Sequence, residues 1–497
     1  MRTAVVAFVL SLVVAALLTP LARSLARGLG LLDHALTSRK VHGRPIPRLG
    51  GVAIVLAFFV PVLGLFLTDS GVGRLFYGDP TRAFGLILGG FAIALLGVYD
   101  DLRGTGARTK FTVQFGVALA MYLLGFRVEQ IASPFGDPIQ LGWLGLPFTL
   151  LWIVGVVNAM NLIDGLDGLA GGVALIAVGS TFLVALGRDQ PLMLLFTAAL
   201  AGSILGFLFY NFNPASIFMG DTGSMFLGFI LAVSALRTHQ KGATAVAMLV
   251  PIVALGLPIG DTLLSITRRA VRGVPLFHSD RGHIHHRLMA LGLSQRQTVF
   301  VLYGLCLVLG AAAVGLTQAG AGETLLFLLG IGSVAFALLA WVGYIKLGLG
   351  RQLVVDRRRN LEMRAAVREV GEAMRRSASV DEIWEGVKGA AAALGASCAA
   401  LTLVERRDAE SATTMRSVGF DEAGPELFRA RYSLLGARPD EGAIELGWTD
   451  GTTGLDRDTE IVVELLCEHV VTALQRLDPG RAGHGGGGEG QVLPLRR

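Results

Sequence analysis

Two adjacent acids, Asp100 and Asp101, end a stretch that is otherwise apolar from Ala83 to Tyr99. An ionised side chain at membrane depth costs several kcal/mol and usually marks a working site. Paired carboxylates suit Mg²⁺, a hard cation that takes oxygen ligands and shares them with substrate phosphates. The plainer alternative is a pair of solvated helix-end residues.

The segment Asn158-Ala-Met-Asn-Leu-Ile-Asp-Gly-Leu-Asp-Gly-Leu-Ala170 sets Asn158, Asn161 and, if the helix continues, Asp164 at three-residue steps on one face. Gly165 and Gly168, with Asp167 between them, let the backbone turn tightly or approach a ligand. A polar packing seam is the competing reading, but so many polar residues in one interhelical turn are hard to explain as packing. Asp221, in Phe218-Met-Gly-Asp-Thr-Gly-Ser-Met-Phe226, opens another apolar helix. There an acid either caps the helix or, between Gly220 and Gly223, serves a crowded metal or phosphate site.

His283, His285 and His286 follow Asp280 and Arg281 in a basic loop. Adjacent histidines with no cysteine nearby make a poor zinc set, whereas imidazole and guanidinium donors suit a diphosphate. A second basic loop, Arg39-Lys-Val-His-Gly-Arg-Pro-Ile-Pro-Arg-Leu-Gly-Gly51, is stiffened by Pro45 and Pro47. Its Arg39, Lys40 and His42 either meet a lipid phosphate or anionic headgroups, or only fix topology.

These residues need a frame, and the frame is apolar. Of 497 residues 53% are hydrophobic and 16% charged, which places most of the chain in lipid. Eleven apolar runs of spanning or near-spanning length fall at about 3–25, 50–68, 83–99, 111–126, 147–164, 166–186, 192–209, 216–235, 243–268, 297–318 and 324–346. The first is long enough to span, and more spans follow it, so it reads as a helix rather than a leader. Lys and Arg concentrate in the loops after the first, third and ninth runs. Those loops are therefore cytoplasmic, with the N-terminus outside and everything after the eleventh run inside. On that topology all the polar motifs reach cytoplasmic helix ends, and a single site facing the cytoplasm is expected.

Composition shifts near Gly350. Residues 1–350 hold 23 Lys and Arg against 14 acids, residues 351–497 hold 20 against 24. The expected fold is an all-α polytopic membrane protein of about eleven transmembrane helices, residues 1–350, with a C-terminal cytoplasmic α/β domain. A helical linker covers 351–376 and the domain covers 377–479, with helices at Val380–Leu394 and Thr459–Leu477 and strands at Ala399–Val404 and Gly442–Trp448. The tail, 480–497, carries four consecutive glycines and is expected to be disordered. Cys306, Cys398 and Cys467 are far apart and suggest no disulfide framework.

Taken in order, six pieces resemble the polyprenyl-phosphate N-acetylhexosamine-1-phosphate transferases, glycosyltransferase family 4, over about the first 300 residues. They are RKVHGRPIPRLGG at 39–51, DD at 100–101 with Lys110 and Gln114 behind it, NAMNLIDGLDGLAGG at 158–172, FMGDTGSMFLG at 218–228, PIGD at 258–261 and HIHHRL at 283–288. The eleven runs and the His-x-His-His pattern look more like the WecA and TagO branch than MraY, whose loop carries three consecutive histidines. Ala35 stands where many relatives have proline, which loosens a turn.

The resemblance implies a cofactor, Mg²⁺ with Mn²⁺ as a substitute, held by Asp221 with Asp100 and Asp101. It implies that N-acetylhexosamine-1-phosphate, by default GlcNAc-1-phosphate, passes from a UDP-sugar to undecaprenyl phosphate with release of UMP, starting a cell-envelope polysaccharide such as O-antigen, teichoic acid or exopolysaccharide. Asp100 is the expected general base, and a two-step route through an aspartyl-phosphate is the alternative. Asn158, Asn161, Asp164 and Asp167 are expected in the nucleotide-sugar pocket, Lys110 on phosphate, and Arg281, His283, His285 and His286 on the diphosphate. Expected partners are undecaprenyl phosphate, a UDP-N-acetylhexosamine, the bilayer of a bacterial inner (plasma) membrane and a second copy in a homodimer, with no nucleic acid.

The C-terminal domain resembles a GAF-type sensory domain, through a helix running into Gly395-Ala-Ser-Cys-Ala-Ala-Leu401 and a final helix with His469 and Val470. Two rival classes make different demands. A lipid transporter predicts ionisable residues at mid-membrane and related halves, whereas the polar residues here gather at one face. An inactive transferase-like anchor for a sensory domain predicts lost acids, and none of the principal acids is missing.

Overall fold

The computed structural model describes residues 2–33, 45–66, 80–131, 139–238, 249–272, 282–319, 321–341, 349–407, 410–420, 428–434, 442–450, 454–455, 457–477 and 494–495. The chain divides into two compact units, 1–266 with 279–346, and 267–278 with 347–497.

In the first part of the chain every apolar run of the sequence overlaps helix among the described residues. The helices are α1 (Arg2–Gly28), α2 (Gly50–Phe66), α3 (Pro80–Arg103), α4 (Ala107–Leu123), α5 (Gly145–Ile163), α6 (Leu169–Gly187), α7 (Pro191–Asn211), α8 (Gly220–Thr238), α9 (Leu249–Ala254), α10 (Gly256–Arg272), α11 (Ile284–Ala290), α12 (Gln295–Leu316) and α13 (Ala321–Trp341). Seven of the described helices, α1, α3, α5, α6, α7, α12 and α13, are long and apolar enough to cross a membrane. This is a helical, multi-pass membrane protein.

The expected count of eleven meets three short elements. The apolar parts of α2 and α8 are Gly50–Gly64 and Gly220–Leu236, and α4 has 17 residues. The run at 243–268 is no single helix, because α9 and α10 break at Leu255. Pro258 has no N–H to bond the carbonyl of Ala254, and around that missing bond the Leu255 N–H still donates to Pro251 O and the Ile259 N–H to Leu255 O.

Helix α8 is central, packing against α2, α3, α5 and α6, and from Met225 to Leu236 nearly every side chain is buried. In lipid there is no hydrophobic drive between helices, so close packing is set by small residues. A Cβ on Gly51 of α2 would stand 2.6 Å from Gly223 Cα, and one on Gly228 would stand 2.7 Å from Val157 Cα of α5. A short antiparallel pair, β1 (Leu32–Asp33) with β2 (Ile46–Pro47), closes the loop after α1, and β3 (Gln130–Ile131) with β4 (Ile139–Gln140) precedes α5.

The second unit contains α14 (Leu349–Met374), α15 (Val380–Ala393), β5 (Cys398–Arg407), β6 (Glu410–Val418), β7 (Phe428–Ser433), β8 (Gly442–Trp448), α16 (Arg457–Leu477) and β9 (Pro494–Leu495). The antiparallel sheet runs β6-β5-β8-β7-β9, the last a two-residue pairing onto β7. Ser379 caps α15 by accepting the Glu382 N–H. Met363, Val367 and Met374 of α14 join one core with Ile383, Leu401, Tyr432, Ile444 and Val462, so one face of this charged helix belongs to the core.

Candidate active site

The site gathers where the first turn of α8 meets the end of α3. Gly220 has a φ of +70°, and a Cβ there would stand 2.6 Å from Asp101 Oδ2. The glycine lets Asp101 reach the orphan donors of α8. Asp101 Oδ1 accepts the Asp221 N–H at 2.9 Å, and Oδ2 accepts the Thr222 N–H at 3.0 Å and its hydroxyl at 2.6 Å. Asp101, expected to bind metal beside Asp100, is thus turned onto the protein's own helix start.

Asp100 and Asp221 face one cation. Lys110 Nζ lies 2.7 Å from Asp100 Oδ2 and 2.5 Å from Asp221 Oδ2. Asp221 Oδ1 accepts from Asn161 Nδ2 at 3.0 Å, and the same amide donates to Ser224 Oγ. Asp100 Oδ1 is buried with no hydrogen-bond partner among the described residues.

The Asn158–Asp167 motif separates into three jobs. Asn158 turns to Gln114 Oε1 at 2.7 Å, one step behind the carboxylates. Helix α5 ends at Ile163, so Asp164 lies past the helix rather than on its polar face. Burial, with Asp221, Asp101 and Asp167 around it, pushes the Asp164 carboxyl up to about 7. Asp167 Oδ2 accepts from Asn213 Nδ2 at 2.9 Å and the Ala215 N–H at 3.0 Å, holding the loop that leads into α8. Asn211 and Tyr303 fix the same turn through Gly168, whose N–H bonds Asn211 Oδ1 and whose carbonyl accepts the Tyr303 hydroxyl.

The histidines pack beside this turn. A Cβ on Gly165 would stand 2.8 Å from His285 Nε2. The His285 ring lies parallel to His283 at 5.8 Å and tilted against His286 at 4.3 Å. Burial pushes His285 down to about 3, so it is a neutral imidazole at ordinary pH. His283 Nδ1 is 2.7 Å from Asp261 Oδ2, and the Ile284 N–H donates to Asp261 Oδ1 at 2.8 Å.

Of the second basic loop, Arg39, Lys40 and His42 lie outside the described residues, as does Arg281. Its end is placed: Phe218 N–H donates to Pro47 O, and the Gly50 and Gly51 N–H groups donate to Phe218 O and Met219 O. Arg48 pairs with the buried Asp33. Residues 47–51 are thereby laced to the segment 217–219 that leads into α8.

Among the described residues no three His, Cys, Asp or Glu side chains are grouped to hold a metal. Mg²⁺ does not need three, because it keeps several waters and is bound by one or two carboxylates plus substrate phosphates. Asp100, with a buried oxygen lacking a donor, and Asp221 fit that requirement. Among the described residues the carboxylates of Asp100, Asp101 and Asp221, set against the ammonium of Lys110, leave negative charge for a cation to neutralise.

Carboxylates, an ammonium and an amide meet here at helix ends of a multi-pass membrane protein, the kinds of group that phosphoryl transfer uses. The family model of Glycosyl transferase family 4 matches residues 83–239, the span from α3 to α8. The chain is 41% identical over 316 residues to the probable undecaprenyl-phosphate N-acetylglucosaminyl 1-phosphate transferase of Bacillus subtilis, covering 63% of this chain and 85% of that protein. It is 33% identical over 332 residues to the decaprenyl-phosphate N-acetylglucosaminephosphotransferase of Mycobacterium tuberculosis, covering 61% and 78%. To the phospho-N-acetylmuramoyl-pentapeptide-transferase of Listeria welshimeri it is 30% identical over 324 residues, covering 62% and 94%. The chain belongs to glycosyl transferase family 4.

Proposed function

We propose that this enzyme transfers GlcNAc-1-phosphate from UDP-GlcNAc to undecaprenyl phosphate, releasing UMP and starting a cell-envelope polymer. The observation that carries the reading is Lys110 Nζ set between the carboxylates of Asp100 and Asp221, within the segment shared with the family. A lipid-phosphate oxygen attacks the β-phosphorus of the sugar nucleotide. A new P–O bond forms, and the bond from the β-phosphorus to the oxygen bridging to the α-phosphate breaks, so that UMP leaves with that oxygen.

Asp100 takes the proton of the lipid phosphate, its Oδ1 being buried and without a donor. Lys110 offsets charge on the transferring group. Asn161 holds the Asp221 carboxylate from its other oxygen, and Asp101 holds the backbone on which Asp221 stands. Mg²⁺, or Mn²⁺ in its place, would be held chiefly by Asp221 and would neutralise the diphosphate, leaving Asp100 Oδ1 for the proton. Asp164 and the turn to Asp167 border the sugar nucleotide. His283 and Arg281 serve the diphosphate, and the Arg39, Lys40 and His42 loop serves the lipid phosphate.

On the charge distribution of the loops, the helices cross the inner membrane eleven times, with the N-terminus outside and both the site and the second unit in the cytoplasm. The relatives named for GlcNAc and the His-x-His-His pattern favour the WecA and TagO branch. The helices packed with an antiparallel sheet support a GAF-like reading of the second unit, which would sense a ligand or join two copies, or else serve only as a stabilising appendage. The test is UMP release by the purified protein with undecaprenyl phosphate, Mg²⁺ and a panel of UDP-sugars. Turnover with UDP-GlcNAc is expected; release with none of them would overturn the assignment.

A further inference from the structure

We infer that Asp261 is a positioning residue that fixes the tautomer and aim of His283. Helix α10 carries Asp261 only 3% exposed, and a lone carboxylate at that depth persists only when its oxygens are paired. Both are. Oδ1 accepts the Ile284 N–H at 2.8 Å and Oδ2 faces His283 Nδ1 at 2.7 Å.

A carboxylate is acceptor-only, so the ring must present Nδ1–H to it. That leaves Nε2 as the nitrogen His283 offers a ligand, and Nε2 makes no hydrogen bond among the described residues. The backbone bond fixes the carboxylate itself, because Ile284 directly follows His283. One side chain thus clamps the imidazole by its ring and by the next peptide. The His285 ring, which lies close to Gly165, stands parallel to that of His283 at 5.8 Å. The consequence for the reaction rests on the transferase reading above; the geometry of the pair does not.

Asparagine separates these roles, having one acceptor where aspartate has two. With its oxygen kept on the Ile284 N–H, Asp261→Asn turns an NH₂ toward Nδ1 and drives His283 to the Nε2–H tautomer. In protein labelled with ¹⁵N-histidine, Nδ1 is expected to carry the proton in the wild type and Nε2 in the variant. An unchanged tautomer overturns the proposal without reference to turnover. In the UMP-release assay Asp261→Asn is expected to lower kcat/KM about 10- to 100-fold, the range seen when a carboxylate behind a ligand histidine is removed. It should add nothing to His283→Ala. Losses that multiply would show Asp261 acting elsewhere. Asp261→Glu, which keeps an acceptor for Nδ1–H, should recover part of the loss; equal loss in Glu and Asn would also overturn the proposal. A wild type with no UMP release would count against the transferase reading alone, leaving the tautomer measurement to decide this one.

Discussion

A Cβ on Gly97 would stand 2.6 Å from the backbone nitrogen of Thr222. Helices α3 and α8 therefore touch backbone to backbone one turn before Asp100 and Asp101, and no flexible side chain is there to yield. Gly97→Ala is expected to push α3 away from the first turn of α8. Misplacing reacting groups by about 1 Å costs on the order of 100-fold, so kcat should fall at least that far. Gly116→Ala on α4, where a Cβ meets nothing within 4 Å, should leave turnover unchanged. Comparable rates for the two variants would contradict this.

The adjacent acids are expected to fail differently. Asp101→Asn gives up acceptor capacity that holds three donors of α8 and should cost about 1–2 kcal/mol of stability, as for a lost helix cap. Asp100→Asn should leave thermal stability near wild type while lowering kcat by about 100- to 1000-fold. Thermal midpoints and UMP release of the two detergent-purified variants check the split.

Lys110→Met should slow turnover by a similar factor, and combining it with Asp221→Asn should cost far less than the product of the two losses. The two groups act as one unit, and such units are grossly non-additive. Multiplying losses would place Lys110 and Asp221 on separate tasks.

Chelation should abolish UMP release, with Mg²⁺ or Mn²⁺ restoring it to wild type but not to Asp221→Asn. Full activity after exhaustive EDTA dialysis would remove the metal from the reading.

Asp164 makes a pH prediction with a definite sign. Its carboxyl is raised to about 7 in the folded protein from an ordinary value near 3.9. Between those values the folded state binds the extra proton, so stability falls as pH rises through the window. The wild-type thermal midpoint should therefore drop between about pH 4 and about pH 7, and Asp164→Asn should flatten that slope. A steeper slope in the variant would contradict it.

The acids, the apolar runs and the basic loops could be read from the sequence because each stands out against its surroundings over a short stretch. The partnerships could not. Asp101 with Thr222, Asp167 with Ala215 and Gly168 with Tyr303 join residues far apart in the chain, and only the packing of glycine-lined helices decides which of two neighbouring acids turns inward. Asp261, the acid of PIGD at 258–261, is legible in the sequence, but its pairing with His283 is not. It is an acid within an apolar run and is followed later by a histidine cluster, a pattern that marks function at membrane depth. Strand β6 escaped because Glu410–Val418 is an edge strand rich in Ser and Thr. Strand β7 was visible in principle, since Phe428, Ala430 and Tyr432 alternate with Arg429 and Arg431.

Successive side chains on a helix leave the axis about 100° apart. Asp100 and Asp101 are therefore two arms of one bracket, one closed on the backbone of α8 and the other open toward Lys110. A compound built to occupy this corner has only the open arm to grasp. A cationic group that displaces the Lys110 ammonium could engage Asp100 and Asp221 together, and resistance by substitution there would forfeit catalysis. The closed arm offers it no such handle, and altering that arm would loosen the helix instead.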